Sequence, residues 1–247
     1  MEELYDIHIH LVFGVDDGPS EFEESEAMLR SAANDGIKTV IATPHKRYGM
    51  FEYDIGTVEQ NFEKLKKTAD ELGIALYLGC EYHACSDMID DIKSGRVHTL
   101  GDSEYVLCEF SYATEAEEML NSVYSLVANG YIPVIAHAER YGVIQEDPGF
   151  CGELKKRGAY IQVNSGSIMG EEGRHIRKTA RTLLKYDLAD AVASDAHGEN
   201  YRKSSLAKSY DFVVKRYTEW YADKLYRKLP KEIAEKIKKA ERISSDE

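Results

Sequence analysis

Along the whole chain, short runs that read as strands alternate with longer runs that read as helices, and no other feature narrows the fold as far. Seven strands are predicted: Leu4–His10, Lys38–Thr43, Ile74–Glu81, Glu104–Phe110, Ile132–His137, Ala159–Asn164 and Ala189–Ser194. Several are continuous apolar runs, such as Thr39-Val40-Ile41-Ala42, as expected of parallel strands covered by helices. Between them, Ser20–Asp35 opens with a Ser and an acidic first turn and stops at Gly36. Gly56–Leu72 stops at Gly73, and Glu115–Asn129 stops at Gly130. Phe150–Arg157, Glu172–Tyr186 and Ser204–Thr218 complete the helices. Seven β-α units with no break in composition predict an α/β chain folded as one distorted (β/α)7 barrel domain, residues 1–247. The Lys/Glu-rich tail from about residue 230 reads as a solvated terminal helix.

Barrel active sites form at the C-terminal ends of the strands. There His10 closes the first strand, His45 follows the second, Glu81 closes the third and Glu109 the fourth. His137 ends the fifth, and Asp195 with His197 ends the seventh. Alternation along the first strand would turn Asp6, His8 and His10 to one face and Ile7 and Ile9 to the other. The loop after it carries Asp16-Asp17-Gly18-Pro19. Imidazoles and carboxylates in this number carry a prohibitive desolvation cost unless cations pair with them. A set without Cys favours Mn, Fe or Zn over a thiolate site. Nine candidates exceed the needs of one tetrahedral ion, which implies two or three ions. His83, His98 and His175 fall in loops or helices and read as ordinary surface residues.

Other classes fit less well. A net charge of −13 argues against a broad nucleic-acid surface. No apolar run approaches the roughly 20 residues that span a bilayer, and no secretory signal is evident. Cys80, Cys85, Cys108 and Cys151 lack disulfide or zinc-ribbon spacing, so a soluble cytoplasmic protein is expected. Cys151 to Arg157 has the Cys-x5-Arg spacing of thiol-dependent tyrosine phosphatases. However, its Glu, Leu and two Lys read as a helix rather than a phosphate cradle.

Taken together, Asp6-x-His8-x-His10, Asp16-Asp17-Gly18-Pro19, Thr43-Pro44-His45, Gly79-Cys80-Glu81, His137-Ala138-Glu139-Arg140-Tyr141, Gln162-Val163-Asn164 and Ser194-Asp195-Ala196-His197 resemble the PHP (polymerase and histidinol phosphatase) superfamily. More narrowly, the chain resembles the bacterial manganese-dependent protein-tyrosine phosphatases of capsular and exopolysaccharide gene clusters, from about residue 4 to at least residue 215. The resemblance implies three metal positions. His8, His10, Glu81 and Asp195 would hold the first, with Glu81 bridging to a second completed by Glu109 and His137. Asp17, His45 and His197 would hold the third. The residues alone leave Asp16 open as the alternative to Asp17. The carboxylate of Glu109, where other branches often carry His, favours the phosphatase branch. Leu229-Pro230 departs from the Asn-Pro often seen near the family's C-terminus.

The chemistry implied is phosphomonoester hydrolysis by water activated between cations. Arg140 is the expected phosphate clamp and Arg202 the second, because a guanidinium fork matches phosphate bidentately. By resemblance, the partner would be the phosphotyrosine-bearing tail of a bacterial tyrosine kinase controlling polysaccharide export. A histidinol-phosphate type of small-molecule phosphatase is the nearest rival, and a non-catalytic metal-binding regulator the next. The loop Lys46–Phe51 discriminates between the first two: an open basic-aromatic rim suits a peptide, a closed lid a metabolite.

Overall fold

The computed structural model describes residues 3–245, with side chains as far as residue 240. Its strands are β1 Leu4–Ile9, β2 Ile37–Ala42, β3 His45–Lys46, β4 Ala75–Leu78, β5 Glu81–His83, β6 Tyr105–Glu109, β7 Ile132–Ile135, β8 Tyr160–Asn164 and β9 Ala191–Ala193. They form two parallel sheets, β1-β2-β4 and β3-β5-β6-β7-β8-β9. Together these curl into one wall. It closes where the His10 N–H donates to the Ala196 carbonyl at 2.9 Å and the Asp195 N–H to that of His8 at 2.8 Å.

The class and the curled parallel sheet are those expected from the sequence, but the strand count is not. The predicted strand Ile74–Glu81 is cut at Gly79-Cys80, and a two-residue strand follows β2 beyond Pro44. Both chains leave the first sheet for the second at the same level. Pro44 has no N–H to continue a ladder. A Cβ on Gly79 would sit 3.1 Å from both Ile41 Cγ2 and Leu100 Cδ2. The break is bridged by the Gly79 N–H on the Ala42 carbonyl (2.8 Å) and the Glu81 N–H on the Pro44 carbonyl (3.1 Å). The switch therefore sets His45 beside Glu81 in register.

The helices are α1 Phe22–Asn34, α2 Ile55–Glu71, α3 Met88–Lys93, α4 Ala116–Ala128, α5 Gly142–Glu146, α6 Phe150–Lys156, α7 Ser165–Met169, α8 Arg174–Lys185, α9 Leu206–Arg216, α10 Glu219–Asp223 and α11 Leu229–Ser245. Among the described residues, none is long and apolar enough to cross a membrane. The short α3, α5, α7 and α10 fall in stretches read from sequence as connections. α8 begins at Arg174 rather than Glu172, because Gly173 at φ 98° interrupts the helix and leaves Glu172 on the strap before it.

Two apolar layers hold the wall. The larger lies between the sheets and their covering helices. The smaller fills the interior, with Ile7, Ile41, Leu107, Val134 and Ala191 meeting Leu229, Ile233 and Ile237 of α11. The terminal helix is therefore a plug, not the solvated tail expected. Its apolar side chains recur every fourth residue and share one helical face, and that face is buried. Glu232 beside them accepts from the Tyr105 hydroxyl at 2.7 Å.

Candidate metal centre

At the opposite end of the wall from α11, the side chains that end the strands converge. β1 reaches this point through a bulge: between Asp6 and Ile9 it advances three residues while β2 advances two. Simple alternation is thus corrected. Ile7 packs in the inner layer and Ile9 in the outer one. Asp6 is turned to the Ser194 N–H, from which it accepts at 2.9 Å, while His8 Nε2 and His10 Nε2 come within 3.4 Å of each other.

Three groups of ligand-type atoms result, each drawn within 4.8 Å: His8, His10, Glu81 and Asp195; His45, Glu81 and Glu109; and His10, Asp17, His45 and His197. Glu81 Oε2 lies 3.3 Å from Nε2 of both His8 and His10 and 3.0 Å from His45 Nδ1. Asp195 Oδ1 is 3.4 Å from the same two Nε2 atoms. Asp17 Oδ1 is 3.3 Å from His197 Nε2 and 3.5 Å from His45 Nε2. His137 Nε2 meets Glu81 Oε1 at 2.7 Å and Glu109 Oε2 at 3.8 Å. His45 faces two groups at once, one through each ring nitrogen.

The residues fit cations on an observation of their own. Glu81 Oε2, His45 Nδ1 and Asp195 Oδ1 are buried without a hydrogen-bond partner, and all three belong to these groups. A buried polar atom left unpaired costs about 1–3 kcal/mol, and three that converge describe a place for positive charge. Although burial raises it, the imidazoles of His8, His45 and His137 hold the Glu81 carboxyl well below the usual carboxylate range. Burial and the neighbouring His10 push the His197 imidazole down to about 4, so it stands neutral and ready to donate a lone pair.

Surrounding groups aim the rings. His8 Nδ1 lies 3.1 Å from Gln162 Oε1, an acceptor, and His10 Nδ1 lies 2.8 Å from Asp16 Oδ2. With Nδ1–H committed there, each Nε2 is left free toward the centre. Asp16 also accepts from the backbone N–H of His45 at 2.9 Å and Gly18 at 2.9 Å. It is thus engaged by its own loop, while Asp17 faces the histidines. Gln162 continues to Asn164 (2.8 Å), and Asn164 to Asp195 Oδ2 (2.7 Å). The Tyr141 hydroxyl sits 3.3 Å from His137 Nδ1. Phe51 stacks on His45, centroids 5.0 Å apart and planes 4° apart. His137 at φ 31° and Asp195 at φ 52° hold left-handed backbone, a conformation that costs about 1–3 kcal/mol and concentrates at functional sites.

Asp195 has a second role. While Oδ1 faces His8 and His10, Oδ2 accepts from Arg140 Nη1 at 2.9 Å and Arg202 Nη2 at 2.8 Å. Arg140 Nε is held by Glu172 at 2.6 Å, not by the neighbouring Glu139. Arg202 Nη1 reaches His197 Nε2 at 2.9 Å. Both guanidinium groups border a cavity of about 870 Å³ whose wall includes Asn164, Asp195 and Glu172, with the exposed Tyr112 and Tyr201 at its rim.

The loop after β3, read from sequence as the element that would tell a peptide rim from a lid, is pinned down at both ends. Lys46 is buried with its ammonium over the rings of Tyr48 and Tyr53, at 5.2 and 5.1 Å. The loop folds back through an Arg47–Phe51 bridge, and the Tyr48 hydroxyl donates to Asp91 at 2.6 Å. Of the three histidines read as surface residues, His83 lies 3.1 Å from Glu109 and borders the centre. His98 is held between Asp102 and Glu59, and His175 is exposed but lines the cavity wall. Cys151 is buried in α6, and burial pushes its thiol up to about 12, which suits an inert core residue. Sequence reasoning left Asp16 open as the alternative ligand to Asp17 and assigned no role to Glu172, Gln162 or Tyr141. Asp16, Gln162 and Tyr141 each lie inside a quoted motif, whereas Glu172 carried no such signal.

The model of the family Capsular polysaccharide synthesis, CpsB/CapC matches residues 4–235. The chain belongs to the CpsB/CapC family. One family relative, the tyrosine-protein phosphatase CpsB of Streptococcus pneumoniae, is 36% identical over 239 residues, covering 93% of this chain and 98% of the relative. Another, the tyrosine-protein phosphatase YwqE of Bacillus subtilis, is 33% identical over 216 residues, covering 87% and 85%. A solved structure from work on YwqE and CpsB, described as metal-dependent tyrosine phosphatases, superposes with a TM-score of 0.82 at 29% identity. It covers 95% of this CpsB/CapC chain and 93% of its own.

Proposed function

We propose that the protein is a metal-dependent phosphatase that hydrolyses phosphotyrosine in polypeptides. The observation that carries this reading is the union, at Asp195, of a cation-ready cluster and two arginines at the wall of a cavity. His8, His10, Glu81 and Asp195 would hold one ion. Glu81, Glu109 and His45 or His137 would hold a second, and Asp17, His45 and His197 a third. The donor set suits Mn²⁺ first, with Fe or Zn as alternatives. When bound, the ions supply Lewis acidity and a water of lowered pKa.

The chain's own residues do the rest. Arg140 and Arg202 bind equatorial phosphoryl oxygens and offset the charge that develops there. Each now holds Asp195 Oδ2, so a phosphoryl oxygen finds a pair already aimed. Asn164 and Gln162 keep Asp195 and His8 oriented. Tyr112 and Tyr201 offer aromatic edges to a substrate ring. A phenol of pKa about 10 leaves without strong proton donation. With the loop after β3 tied down to Asp91, the cavity has no lid from that side, which favours a polypeptide over a small metabolite. The partner read for it is the phosphotyrosine tail of a bacterial tyrosine kinase that governs capsule export, met in the cytoplasm.

The test is phosphate release from a phosphotyrosine peptide with Mn²⁺, run beside histidinol phosphate and a chelator control. Peptide turnover should need metal and fall by about a hundredfold or more in His137→Ala, which loses a group touching Glu81. Turnover of histidinol phosphate alone would move the assignment to small molecules.

A further inference from the structure

Although the chain carries −13 overall, its cations are not evenly spread. Residues 174–216 hold ten Lys and Arg against five Asp and Glu. α8 holds five of the ten, Arg174, Arg177, Lys178, Arg181 and Lys185, and no acidic residue. Among the described residues, none of these five is in an ion pair, whereas elsewhere surface cations are paired freely, as in Arg30–Glu26 and Lys155–Asp190. The patch continues onto α9. Burial chiefly, and then the nearby charges of Arg177 and Arg216, lower the Arg181 guanidinium from its ordinary value. Arg181 is fixed by stacking on Phe212 at 4.4 Å, while Arg174 and Lys178 stand exposed in water.

The patch is also continuous with the cavity. His175 and Ile176, in the first turn of α8, line the same wall as Arg140 and Arg202, and Lys203 extends it on the other side. A polypeptide whose phosphorylated side chain enters that cavity must send its flanking residues across the rim, and α8 leads away from one edge of it. We propose that the exposed face of α8, with Arg174 beside His175 in the first turn and Lys178 one turn on, is a docking surface for acidic residues flanking the phosphotyrosine of the substrate. This rests on the phosphatase reading above and specifies its substrate as an acidic one. Exposed charges across an interface act chiefly on encounter and selection and weaken with salt.

The test uses a fluorescent peptide carrying a non-hydrolysable phosphonate analogue of phosphotyrosine, in an acidic-flanked and a neutral-flanked form, followed by anisotropy. Wild type should bind the acidic form about tenfold more tightly at low salt, with the difference lost near 0.5 M NaCl. Arg174→Glu with Lys178→Glu should abolish the preference while hydrolysing p-nitrophenyl phosphate at the wild-type rate. Equal binding of both peptides by wild type, or an unchanged preference in the variant, would overturn the proposal. So would a variant that loses only adhesion to phosphatidylglycerol vesicles, which would make the patch a lipid contact. Failure of wild type to hydrolyse p-nitrophenyl phosphate would count against the phosphatase reading instead, because the binding comparison does not depend on turnover.

Discussion

Arg140 borders the cavity with two of its nitrogens already occupied, Nε by Glu172 at 2.6 Å and Nη1 by Asp195 at 2.9 Å. Glu172 is itself fixed by the Ser167 hydroxyl at 2.7 Å. A planar fork can hold two carboxylates and still present a nitrogen to phosphate, and a lysine cannot. Arg140→Lys should therefore lower kcat/KM on a phosphotyrosine peptide by about a hundredfold. Glu172→Gln keeps the shape but surrenders the charge-assisted bond, and should cost about tenfold. Steady-state kinetics of both variants check this, and a Glu172→Gln enzyme with wild-type kcat/KM would refute the positioning role. The clustered histidines and carboxylates were legible in the sequence because few residue types serve a divalent cation and barrel sites gather at strand ends. Which nitrogen faces which oxygen was not. His45 as well as His137 comes beside Glu109, at 3.5 and 3.8 Å, and sequence does not fix ring orientation. Glu172 was invisible for a related reason: a carboxylate on a helix reads first as solvated surface.

Among the elements, α11 closes the interior with one apolar face, Leu229, Ile233 and Ile237. Ile233 is fully buried among Ile7, Ile41 and Leu107, far along the wall from Glu81 and Asp195. Ile233→Ala should cost about 2–5 kcal/mol of stability, the usual range for an aliphatic side chain removed from a packed interior. Urea unfolding would show it as a lowered midpoint. Mn²⁺-dependent turnover below the transition should be unchanged, and a loss of turnover in folded protein would contradict the separation of plug from site. The periodicity of Leu229, Ile233 and Ile237 was present in the sequence. It was masked by the Lys and Glu around it, and nothing local says that the barrel's lower opening waits for a cover. The bulge in β1 and the sheet switch at Pro44 and Gly79 were hidden likewise, because pairing register depends on the neighbouring strand. The α/β alternation was legible, being a property of each segment taken alone.

Across the whole molecule, the candidate ligands come from both sheets of the wall. His8 is on β1, His45 on β3, Glu81 on β5 and Glu109 on β6, while Asp195 and His197 follow β9 where the wall closes on β1. An ion shared by His8, Glu81 and Asp195 would join both sheets and the seam between them. Such an ion binds only the folded chain, because the unfolded chain disperses its ligands. Excess metal at about a hundred times its dissociation constant then adds about 2.7 kcal/mol, which for a chain of this size raises Tm by about 5–10 °C. Glu81→Gln should lose most of that rise, since Glu81 Oε2 stands within 3.3 Å of His8, His10 and His45 together. The same substitution also removes the carboxylate that His8, His45 and His137 favour in its charged form, so its metal-free Tm should fall below that of metal-free wild type. The two proteins are therefore compared by the rise that metal adds to each. Differential scanning calorimetry of both proteins, with chelator and with Mn²⁺, separates the two effects. A wild-type Tm that ignores chelator and metal alike would mean that the ions, if they bind, do not hold the wall together. The seam between β1 and β9 would then rest on its two backbone hydrogen bonds and the plug beneath them.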